Sequence, residues 1–160
     1  MNTQRGAVLI VSLVFLVLMT LLATSSMQNA TLQEKVAGSL TMNNALFQRA
    51  ETVLRAAEAR LLAPGFSTPE CPAKCLPPAE ALTLSAAGSG GDSGVRWVAN
   101  NGGFYGIQLI GETEDPAGGT APGQSQPLYR VTAVVVQGDS RIVLESIHTL
   151  EGRVMWRQRQ

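Results

Sequence analysis

The chain has 160 residues, and its 12 Lys and Arg balance 12 Asp and Glu, so the formal charge at neutral pH is zero. No basic run interleaved with aromatics occurs, which excludes the footprint of a nucleic-acid binder. The length leaves room for one soluble domain of roughly 100 residues beside an apolar anchor, and not for two cores.

Residues 7–24, AVLIVSLVFLVLMTLLAT, contain no charge, Gly or Pro, and a short leader with one arginine, MNTQRG, precedes them. At about 1.5 Å per residue, some 20 residues cross a hydrocarbon core of roughly 30 Å, so this run predicts a bilayer-spanning helix. A cleaved secretory signal is the competing reading, and Ala23-Thr24-Ser25 imitates its cleavage site. Against it, the run is longer than such a core and passes without a turn signal into further helix. Arg5 favours leaving this end in the cytoplasm, which places the remainder outside it.

From residue 25 to 62 there is no Pro and one glycine, Gly38. Val36, Leu40, Phe47, Ala50, Leu54, Ala57 and Leu61 recur at helical spacing, which predicts an amphipathic helix whose stripe needs a cover. Glu51 and Arg55 make a favourable i, i+4 pair, and Pro64-Gly65 supplies the stop. One helix over residues 7–62 measures about 84 Å, half in lipid and half outside. Ser12, Thr20 and Thr24 are expected to bond back to their own i−4 carbonyls. Asn29, Asn43 and Asn44 suit a solvated face or a neighbouring subunit. Gly38 marks a place where the helix can bend or unwind on assembly, since glycine there costs about 1 kcal/mol relative to alanine.

Residues 63–94 are rich in Pro, Gly and Ser and read as a connecting loop. Cys71 and Cys75 lie within it. A zinc site is unsupported, because His148 is the only histidine and there is no second cysteine pair. The spacing of Cys71-Pro72-Ala73-Lys74-Cys75 also differs from a CxxC redox motif, and export favours a structural disulfide worth about 2 kcal/mol. The cluster Gly88-Ser89-Gly90-Gly91-Asp92-Ser93-Gly94 lacks the lysine of a phosphate loop and reads as flexible linker.

Beyond it the pattern changes to short β-rich runs at 95–99, 104–110, 128–137, 141–150 and 153–157. Asn101-Gly102-Gly103 and Gln137-Gly138-Asp139-Ser140 are hairpin signals. The expectation is an α+β protein: an antiparallel meander that takes the helical stripe on one face. Catalysis has little support, since His148 sits in an alternating run with no nucleophile motif, and Glu112, Glu114 and Asp115 lack EF-hand spacing. No cofactor is implied.

The start Arg5-Gly6-Ala7, the apolar run, and Ser25-Ser26-Met27-Gln28-Asn29-Ala30-Thr31-Leu32-Gln33-Glu34-Lys35 followed by Ala37-Gly38-Ser39 resemble the amino-terminal region of PilX-type minor pilins of type IV pili. The likeness covers about residues 4–60. Beyond that it rests on architecture, a long helix, a loop and a four-stranded sheet, the general pilin fold. It implies a leader at 1–6, a transmembrane half-helix at 7–27, an outer amphipathic half at 28–62, the connecting loop at 63–94 and the sheet at 95–160. It further implies cleavage between Gly6 and Ala7 by prepilin peptidase, and N-methylation of Ala7. Glycine before the bond lets a peptidase draw an extended backbone close.

The fifth mature residue of most pilins is a glutamate; here it is Val11. The resemblance then implies a subunit of the tip or initiation complex that primes assembly and supports adhesion and twitching motility. Its partners are other minor pilins, the major pilin, a tip adhesin, prepilin peptidase and the inner membrane. It is expected as a single-pass inner-membrane protein with a periplasmic domain before assembly, and in the pilus after it. The alternatives are a minor pseudopilin of a type II secretion system and a single-span periplasmic binding module.

Overall fold

The computed structural model describes residues 4–71, 75–89, 91–114 and 125–159, with backbone alone for Gln4 and Arg5. Its first element is α1, Gln4–Leu61. The absence of Pro lets the hydrogen-bond ladder continue, and the helix passes through Gly38, around which an added Cβ would meet nothing within 4 Å. The chain divides into two compact units, one ending at Asn43 and the other beginning at Asn44. α1 contributes to both.

In the first unit every described side chain is exposed. In the second, a six-stranded sheet runs in sequence order, β1 (Gly88–Ser89), β2 (Arg96–Asn100), β3 (Gly103–Thr113), β4 (Gln126–Gln137), β5 (Ser140–His148) and β6 (Arg153–Arg159), and each strand is antiparallel to the next. The expected meander is present, but with six strands where the pilin pattern gave four. One added strand, β1, comes from the glycine cluster read as linker. There Gly88 pairs with Trp97 and Ser89 with Arg96.

Both hairpin signals form turns. Asn101 and Gly102 have φ of 44° and 77° between the paired Asn100 and Gly103, the two positive values that a type I′ turn demands. Gly138, with φ 58°, leads the turn between Gln137 and Ser140, where a type II′ turn places its glycine.

Alternation along β4 and β5 divides the core between two sheet faces. On one face, Leu46, Ala50, Val53, Leu54, Ala57 and Leu61 of α1 pack against Val131, Ala133, Val135, Ile142 and Leu144. Gly103 allows the close approach, since a Cβ there would stand 2.7 Å from Val135 and 3.0 Å from Val53. On the other face, Val134 and Val143 pack with Trp97, Val95 and Ala81. Ala81 lies in a 3-10 turn, Ala79–Leu82, so the connecting segment is partly regular and not wholly loop. The helical stripe is covered only from Leu46 onward; Val36 and Leu40 are 59% and 58% exposed.

Candidate functional site

The amino-terminal helix offers the largest uncovered apolar surface. The large apolar residues from Val8 to Leu22 are between 46% and 69% exposed, Val11 among them at 63%. No charge interrupts the sequence between Arg5 and Glu34. Water is a poor solvent for such a surface, because at about 25 cal/mol per Å² each exposed Leu or Phe forgoes roughly 2 kcal/mol of burial. The helix is long and apolar enough to cross a membrane.

The hydroxyls of Ser12, Thr20 and Thr24 within the apolar run are satisfied internally, which makes that run compatible with lipid. Ser12 donates to the Leu9 carbonyl at 2.9 Å, Thr20 to Val17 at 2.8 Å and Thr24 to Leu21 at 3.0 Å. The bonds are local as expected, but they reach the i−3 carbonyl and not i−4. Thr41 and Thr52 do use i−4. Asn29, Asn43 and Asn44 are exposed. Gly6 and Ala7 lie in the first turns of α1, with nothing within 4 Å of a Cβ added at Gly6.

The connecting segment carries a Cys71–Cys75 disulfide with Cα atoms 5.4 Å apart; residues 72–74 lie outside the described residues. Arginines of the sheet hold this segment by its main-chain carbonyls. Arg130 donates to Cys75 O at 2.6 Å, Arg159 to Pro78 O at 3.0 Å, and Arg141 to Ala81 O and Leu84 O at 3.2 and 2.8 Å. Ser93 donates to Glu80, tying the end of the segment to its 3-10 turn.

Two buried carboxylates organise these cations. Glu145 on β5 is 2% exposed and faces the connecting segment. Arg157 donates to its Oε1 at 3.0 and 2.7 Å, Arg130 stands 3.5 Å from Oε1 and Arg159 3.8 Å from Oε2. Burial pulls the Arg130 guanidinium below its usual value, with Glu145 pulling the other way. On the opposite face, Glu58 of α1 accepts from Ser146 at 2.8 Å and from Arg153 at 3.0 and 2.6 Å. His148 Nε2 stands 3.0 Å from Glu58 Oε1. Burial raises the Glu58 pKa, but the approach of His148, Arg153 and Ser146 outweighs it and holds the carboxyl at about 2.

His148 is thus a buried neighbour of Glu58, sharing its Oε1 with the Ser146 hydroxyl. Glu112 accepts from Ser125 at 2.6 Å, and Asp115 lies outside the described residues. Among the described residues, no three His, Cys, Asp or Glu are grouped to hold a metal. Sequence reasoning missed Glu58 and Glu145. A signal for Glu58 existed, since it falls four residues after Leu54 and three before Leu61, on the stripe itself.

Residues 5–55 match the family model PilX N-terminal. The amino-terminal region is thus similar to that of PilX-type pilins. The match ends within α1 and leaves the sheet outside it. No curated protein matches the chain, and no solved structure does. The exposed apolar surface of α1 is what a membrane anchor requires.

Proposed function

We propose that this chain is a PilX-type minor pilin of the type IV pilus and belongs to a tip or initiation complex that primes polymerisation of the major pilin. The observation that carries the reading is Val11. With Ala7 as the first mature residue, Val11 is the fifth, where most pilins place a glutamate, and the next acid is Glu34. In a bundle of such helices that glutamate neutralises the terminal ammonium of the subunit already assembled. Two unit charges at 4 Å attract by about 4 kcal/mol at an effective dielectric of 20, a gross figure that desolvation offsets.

A subunit without the carboxylate gains nothing from an ammonium ahead of it. Its own Ala7 ammonium still attracts the glutamate of the next arrival, so it suits the first position. The steps before assembly are cleavage of Gly6-Ala7 by prepilin peptidase and methylation of Ala7 in the inner membrane, with the sheet domain in the periplasm. In the pilus it joins other minor pilins and a tip adhesin, supporting adhesion and twitching motility. Packing and charge pairing do this work without covalent chemistry of its own.

Immunogold labelling of sheared pili tests the placement. Label confined to filament ends is expected; label spread evenly along shafts contradicts it. A deletion strain should lose surface pili while still secreting folded exoproteins, and the reverse phenotype would assign the chain to type II secretion.

A further inference from the structure

A cleft of about 440 Å³ lies in the second unit, lined by the start of the connecting segment, the start of β2 and the middle of β3. Two arginines line it: Arg60 in the last turn of α1 and Arg96 at the first position of β2. Both are exposed. Five arginines of the sheet, Arg130, Arg141, Arg153, Arg157 and Arg159, are committed to carboxylates or carbonyls. Among the described residues, neither Arg60 nor Arg96 has an ion pair or a side-chain hydrogen bond.

The floor of the cleft is an interrupted strand edge. β2 pairs with β3 only as far as Val98 opposite Tyr105. The chain rejoins the same edge at Leu109, whose carbonyl accepts from the Cys71 N–H at 3.2 Å. Ile107 lies between them, paired with Val131 of β4 on one edge and with no paired strand on the other. Main-chain groups of a strand alternate between its two edges, so Ile107 turns its N–H and C=O to the side used by Leu109, into the cleft. Val95 and Trp97 pack against Gly106, where a Cβ would collide with Val95.

A main-chain donor and acceptor beside two uncommitted guanidiniums fits one chemistry. We infer that the cleft binds an extended, carboxylate-bearing segment of a partner polypeptide, its main chain against Ile107 and its acidic side chains on Arg60 and Arg96. Strand addition supplies direction, and the arginines supply selectivity through bidentate pairing. Glu70 on the same lining disfavours acidic side chains near residues 69–71, so the segment's carboxylates belong on the arginine side. The inference goes beyond filament placement, because it holds whether or not the subunit sits at a tip.

Fluorescence anisotropy tests it, with the full chain purified in detergent and a labelled, end-capped seven-residue peptide of alternating Glu and Val. The Glu peptide should bind, and its Lys counterpart should not. The Arg60→Gln/Arg96→Gln variant should weaken binding at least about tenfold with an unchanged thermal midpoint, since both side chains are exposed and unpaired. Arg55→Gln should bind as the parent does. Methylating alternate peptide nitrogens should abolish binding. Equal affinity for Lys and Glu peptides, full binding by the double variant, or tight binding of the N-methylated peptide would each overturn the inference. Displacement by glutarate at peptide-like concentrations would overturn it in favour of a small-anion site.

Discussion

Residues 6–43 and residues 44–61 belong to one helix, yet they meet opposite surroundings. In the first stretch valine, leucine and phenylalanine are all exposed, whereas in the second Leu46, Ala50, Val53, Leu54, Ala57 and Leu61 expose 2% or less. The second stretch has found its cover in β4 and β5, and the first has not. Helix formation alone therefore says little about stability. What separates the two is where the apolar area goes: into a sheet within the chain, or, by the proposed function, into lipid and sister helices outside it.

The sharpest way to break the comparison is to place one charge in each stretch. Val53 is fully buried and Val14 is 51% exposed. Val53→Asp should cost the sheet domain about 4 kcal/mol or more, read as a collapsed thermal midpoint, because a carboxylate would be left between helix and sheet without a partner. Val14→Asp should leave that midpoint in place and weaken membrane retention, at about 3 kcal/mol for an acid near the centre of a span. Equal loss of domain stability from both would erase the distinction.

Next in size is Glu145→Ala. Arg130, Arg157 and Arg159 would lose their shared anion, and chemical denaturation should report a loss of about 3 kcal/mol. Protease sensitivity should rise in the connecting segment, whose Cys75 and Pro78 carbonyls those arginines hold.

Acid gives a graded test on the opposite face of the sheet. The folded Glu58 carboxyl sits at about 2 against an ordinary 4.5, so its contribution is complete above that ordinary value and is lost as pH falls toward 2. Glu58→Gln should flatten the acid limb of the stability profile in that window and cost about 2 kcal/mol at neutral pH. An acid limb unchanged by the substitution would contradict the assignment. The smallest effect is expected at Arg55, which is 72% exposed at its side chain and 3.6 Å from Glu51. Arg55→Ala should change stability by about 0.3 kcal/mol.

Much of this was readable from residue patterns that act locally. The uninterrupted run 7–24 announced the helix, Asn101-Gly102 and Gly138-Asp139 announced their turns, and the β-rich runs overlap β2 to β6, with Val95 ahead of β2 and Thr149 and Leu150 past the end of β5. Features set by distant partners were hidden. β1 exists because Trp97 and Arg96 offer Gly88 and Ser89 an edge, and its glycines carry no strand propensity of their own. Glu145 looks like an ordinary acid in a strand until Arg130 and Arg157 arrive from the strands on either side. Val36 and Leu40 continue the stripe by spacing, but spacing does not say how far the sheet reaches. The disulfide followed from its isolation as the only cysteine pair, while the arginines that hold its loop carried no local signal.

The claim on which the rest depends is that the uncovered helix begins its working life at Ala7. Intact-mass spectrometry of the protein extracted from membranes tests this directly. A chain lacking residues 1–6 and carrying one added methyl group on Ala7 is expected. A chain that retains its leader in a strain with active prepilin peptidase would contradict the account.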